Sequence, residues 1–159
     1  MNFDPSLSSA PPAEPTARAD RMLSPGQRST IGLTGAVLLG LLAVARVLAP
    51  SPNGLGTHQQ LGLPPCTMVA LFGVRCPACG MTTSWAYFTR GQVADSLRVN
   101  AGGTLLALAA TVFGPWLAIS AYRGRYLIGP PNEYLVLAIS VLIAIVTAGD
   151  WLLRTGWWG

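Results

Sequence analysis

All three cysteines of this chain, Cys66, Cys76 and Cys79, fall within fourteen residues. The last two form the turn motif Cys76-Pro77-Ala78-Cys79-Gly80. Three chemistries fit these residue types at this spacing. The first is redox. A C-x-x-C at a helix start brings two sulfurs into disulfide range, and the helix N-terminus lowers the pKa of a thiol placed there. Cys76 and Cys79 would then be the exchanging pair and Cys66 a resolving thiol. The usual redox scaffold follows a βαβ pattern, which this chain lacks. The second chemistry is metal ligation. A C-P-x-C-G turn is half of a tetrahedral zinc site. Cys66 offers a third thiolate and His58, the only histidine, a fourth ligand, with the irregular spacing His58-x7-Cys66-x9-Cys76-x2-Cys79. The third reading is structural: Cys66 bonded to Cys76 or Cys79, or three thiols packed as small apolar groups. Haem attachment is unsupported, because Gly80 stands where C-x-x-C-H requires histidine.

Other chemistry is scarce. Thr82, Thr83 and Ser84 read as caps and first-turn donors, with no base and supporting acid beside them. There is no phosphate-binding glycine loop and no HExxH. The six acidic residues are scattered, which leaves no paired-carboxylate site. Thiol–disulfide exchange is the only catalysis the residues suggest.

The elements that must position the cysteines follow from composition. Of 159 residues, 51% are hydrophobic and 10% charged, against about 25% charged in soluble domains. Mean hydropathy is +0.46. This balance excludes a disordered chain, a coiled coil and most soluble enzymes. The net charge of +4 comes from ten arginines and no lysine, spread singly along the chain. Such spacing makes no phosphate-binding stripe, so nucleic acid is not an expected partner. It suits flanks of membrane spans.

The expected fold is all-α: a helical integral membrane protein with about three transmembrane helices. Residues 1–29, with Pro5, Pro11, Pro12, Pro15 and Pro25, read as a disordered tail. Residues 30–159 read as the membrane domain, with spans at about 30–49, 101–122 and 134–153, each long enough to cross a bilayer. The first span reads as retained, although Ala43-Val44-Ala45 resembles a cleavage site. Gly114-Pro115 predicts a kink in the second. Tyr122, Tyr126 and Tyr134 mark one interface, and Trp151, Trp157 and Trp158 the other. Gly32, Ala36 and Gly40, and Ala110, Gly114 and Ala118, recur at four-residue steps that would let helices of this protein or of membrane partners approach closely. Arg46 and Asp150 fall at similar depth, either paired or each reaching water separately. Loop arginines tilt the orientation toward a cytoplasmic amino terminus, in the bacterial cytoplasmic membrane.

Residues 60–100 form the cysteine segment, re-entrant or interfacial, since Met68 to Val74 is too short to span. Trp85, Tyr87 and Phe88 are expected as interfacial anchors. Asp95 and Arg98 should pair on one helix face, with little energetic weight.

Cys66, Gly73, Cys76-Pro-Ala-Cys79-Gly-Met-Thr, Arg90-Gly91-Gln92, Ala94 and Asn100 together resemble the bacterial family catalogued as domain of unknown function 2752. The resemblance covers roughly residues 60–122. It implies a small membrane protein with a cysteine-bearing segment ahead of an apolar helix, and no assigned reaction. Many members carry Arg where this chain has Thr83, and Pro where it has Ala101. The reading that follows is a non-enzymatic accessory or structural membrane component whose cysteines fix a turn. The alternative is a membrane thiol–disulfide or zinc-binding protein using the C-P-x-C motif.

Overall fold

The computed structural model describes residues 22–156. The expectations for residues 1–21 and for Trp157 and Trp158 lie outside them. The described residues fold into six helices: α1 (Pro25–Val47), α2 (Thr67–Phe72), α3 (Met81–Phe88), α4 (Val93–Val99), α5 (Ala101–Arg123) and α6 (Glu133–Gly156), with a 3-10 turn at Thr57–Leu61. Three of them, α1, α5 and α6, are long and apolar enough to cross a membrane. The fold is that of a multi-pass helical membrane protein.

Helix α1 begins five residues before the expected span. Ser24 caps it, accepting from the Gln27 amide, while the Gln27 side chain accepts from the Ser24 amide. Pro25 occupies the first turn rather than ending a tail. The amide that proline lacks is an orphan there anyway. Asn100 caps α5 through Gly103, and Asn132 caps α6 through Tyr134 and Leu135. Helix α5 continues through Pro115 to Arg123, and Gly124 closes it in the left-handed conformation.

The small-residue expectation is half right. Gly114 and Gly32 do lie in the α1–α5 seam: a Cβ on Gly32 would meet Ala121 Cβ at 3.1 Å, and one on Gly114 would meet Leu39 at 3.2 Å. The deciding residue is Gly35. A Cβ there would stand 2.8 Å from the Ala118 amide nitrogen and 3.0 Å from the Gly114 carbonyl. Ala36 is exposed and Gly40 has nothing within 4 Å. The seam therefore steps by three from Gly32 to Gly35, not by four. Gly35→Leu forces the two backbones apart, and overpacking of this kind costs about 1–3 kcal/mol. Its thermal transition in detergent should fall clearly below that of Gly40→Leu. Equal transitions would refute the seam.

Helix α6 lies mostly clear of the other helices; its apolar window has no buried residue. It touches α5 where Gly102 meets Thr147, whose Cα is 3.0 Å from an added Cβ. The Arg46–Asp150 pair does not form. Asp150 instead pairs with Arg154, one turn on, at a largely buried site, and Arg46 is exposed.

The arrangement places residues 48–100 at one end of the bundle. Arg90 reaches the Ala45 carbonyl in the last turns of α1, and Asp150 accepts from the Ala101 amide at the start of α5. At the other end, Arg28 donates to the Ala121 and Tyr122 carbonyls and so satisfies the close of α5.

Candidate functional site

The cysteine segment is built by a left-handed glycine and an asparagine. Cys79 ends a tight turn in which its amide donates to the Cys76 carbonyl at 3.0 Å. Gly80 follows at φ +86°, a conformation that L side chains rarely adopt, and starts α3. A Cβ on Gly80 would also stand 2.9 Å from the Gly54 carbonyl and from Val99. Both conditions demand glycine. Asn100 is fully buried. Its Nδ2 donates to the Pro77 carbonyl at 3.1 Å and the Cys79 carbonyl at 3.2 Å, while its Oδ1 caps α5. One side chain thus fixes the C-P-x-C turn to the second long helix.

The third long helix holds the same turn from outside. Arg154 donates to the Val99 carbonyl at 2.7 Å and to the Cys79 carbonyl at 3.5 Å. The indole N–H of Trp151 donates to the Arg75 carbonyl at 2.6 Å. Asp150 orients Arg154 and accepts from the Ala101 amide. A proline at position 101 would offer no such donor.

Thr83 and Ser84 are not caps. Both are buried. Thr83 Oγ1 pairs with Thr57 Oγ1 at 2.8 Å, tying α3 to the 3-10 turn. Ser84 Oγ lies 3.0 Å from Ser96 Oγ and 3.2 Å from Thr104 Oγ1, and Ser96 Oγ lies 2.7 Å from Thr104 Oγ1. This knot of hydroxyls joins α3, α4 and α5. No local sequence pattern marks it, because its members come from three separate helices. Trp85, Tyr87 and Phe88 are half-buried on α3. Asp95 and Arg98 do pair, at 3.4 Å on the surface.

The three sulfurs converge. Cys76 Sγ lies 3.5 Å from Cys66 Sγ and 3.0 Å from Cys79 Sγ, and all three lie within 4.8 Å of one another. These separations exceed an S–S bond of about 2.05 Å. They approach the roughly 3.8 Å edge of a tetrahedron with Zn–S bonds of about 2.3 Å. Cys66 is the N-cap of α2, which delivers its sulfur to the C-P-x-C turn. His58 lines the same cavity of about 250 Å³ as the cysteines. Its Nε2 is 3.2 Å from the Pro64 carbonyl, outside the sulfur cluster.

The thiols are unequal. The Val69 amide beside Cys66, with the neighbouring Cys76 and Cys79 thiols, holds the Cys66 thiol below its ordinary range. Burial pushes Cys79 up to about 12. The thiolate is the reactive form, so a lowered pKa means reaction from lower pH. In reduced, metal-free protein, iodoacetamide should label Cys66 before Cys79. Peptide mass mapping checks the order, and preferential labelling of Cys79 would contradict it.

Residues 66–114 match the family model described as Protein of unknown function (DUF2752). This segment is similar to that family. The matched segment runs from the first cysteine, through the C-P-x-C turn and the hydroxyl knot, to the middle of α5. Asp150, Trp151 and Arg154, which brace it, lie beyond the matched residues. No curated protein and no solved structure matches the chain.

Proposed function

We propose that this chain is a membrane protein that holds a thiophilic metal ion, zinc foremost, in the Cys66–Cys76–Cys79 cluster. Its setting would be the cytoplasmic membrane, with the amino terminus in the cytoplasm. The observation that carries the reading is the convergence of three sulfurs, drawn from α2 and the C-P-x-C turn, at near-coordination distances. The supports behind them favour it too. The side chains of Asn100 and Arg154 donate to the carbonyls of the turn and hold it without using the sulfurs. Such outer contacts orient ligands and tune a metal. The cysteines then do more than stiffen a turn that Asn100 and Gly80 already specify. Thiol accessibility tests this. Purified protein should resist alkylation until a strong chelator is added, and then take up label on all three cysteines. Full labelling without chelator would remove the reading.

A second reading has its own observation. Cys76 and Cys79 are 3.0 Å apart, and a nucleophile-like Cys66 next to a buried, high-pKa Cys79 suits thiol–disulfide exchange. That reading requires a reducible bond in the isolated protein, which a mass shift on reduction would reveal.

A further inference from the structure

We infer that the fourth coordination position of the cysteine cluster is filled by a thiolate from outside this chain, so that the site exchanges its metal rather than burying it. The inference rests on the metal reading above. Structural zinc sites are closed by four protein ligands, whereas sites that keep three leave a position for an incoming group. Among the described residues, only Cys66, Cys76 and Cys79 form a group of metal-ligating side chains. The one remaining imidazole is held elsewhere. His58 sits on a 3-10 turn whose neighbour Thr57 is fully buried and bonded to Ser51 and Thr83. Its ring lies against Pro64.

The cavity beside the sulfurs, about 250 Å³, is the place for the incoming ligand. Leu55, Pro65, Val69 and Ala78 form much of its wall. His58, Gln59, Thr82 and Thr83 line the rest and offer polar partners to the amino and carboxylate groups of a small ligand. At the metal itself a soft sulfur donor is favoured, because thiolates suit zinc and monovalent copper. Cys66, half-exposed at the cluster, leaves the sulfurs reachable from this side. The cavity has the volume for a molecule of the size of cysteine. The step is a ligand substitution: the incoming thiol loses its proton to solvent, its sulfur bonds the metal, and any water there departs. No electron is transferred.

Cobalt(II) reports this directly, because its sulfur charge-transfer absorption grows with the number of thiolates. The full-length protein is purified in detergent with a phosphine reductant, loaded with cobalt(II), and titrated with free cysteine. The same is done with His58→Ala. The expected result is a rise of about one third in charge-transfer intensity, from three thiolates to four, alike in both proteins. A spectrum that changes with His58→Ala alone, before any cysteine is added, would make His58 the fourth ligand and overturn the inference while leaving the cluster intact. No response to cysteine in either protein would also overturn it. Failure to develop any cobalt–sulfur band would instead bring down the metal reading itself, and this inference with it.

Discussion

Replacing Cys76 with serine is expected to weaken zinc binding more than ~100-fold without unfolding the protein. Removing only an outer-shell partner of a metal already costs about 10–100-fold in affinity, and Cys76 is a direct donor in the proposed site. It is also the sulfur that links the other two, at 3.5 Å from Cys66 and 3.0 Å from Cys79. Serine is nearly isosteric, and position 76 is only half-buried, so packing should survive. Cys79→Ser is a poorer probe, because that side chain is 6% exposed and a hydroxyl there needs a new partner. Competition with a chromophoric chelator gives the affinity, and circular dichroism gives the fold. Unchanged affinity in a folded Cys76→Ser protein would exclude a three-sulfur site.

The second large effect is at Asn100. Asn100→Ala should lower stability by about 2–4 kcal/mol. The lost cap accounts for about 1 kcal/mol. The Pro77 and Cys79 carbonyls lose the Nδ2 donor, and a buried carbonyl left unpaired costs about 1–3 kcal/mol. Arg154 still reaches Cys79 at 3.5 Å and limits the damage there. Asn100→Asp separates the two roles. Its carboxylate keeps the cap on Gly103 but offers no donor to the turn. If the clamp matters to the cluster, Asn100→Asp should lose zinc affinity by about 10–100-fold while recovering part of the thermal transition. Equal behaviour of the two variants would mean that Asn100 acts only as a helix cap.

The membrane helices were legible in the sequence because uncharged runs of this length have one stable solution in lipid. Their ends were less so. Pro25 looked like a breaker, yet at the first turn its missing amide costs nothing. The cysteine cluster was legible as a group of residue types but not as a shape. Which sulfurs meet depends on α2, six residues long, being laid across the turn, and no local pattern states that. The supports were hidden by distance. Asn100 announces a helix start, but its bonds to Pro77 and Cys79 cross 23 and 21 residues. Thr83 finds Thr57 across 26 residues. Asp150 and Arg46 stand at similar depth near the ends of their apolar runs. Arg154, four residues away on the same helix, reaches Asp150 first.

Elemental analysis of the detergent-purified, full-length protein tests the central claim most directly. About one zinc per chain, absent from Cys76→Ser prepared in parallel, is the expected result. Wild-type protein without bound metal, with a reducible bond between two of Cys66, Cys76 and Cys79, would contradict it and make the cluster a thiol–disulfide site.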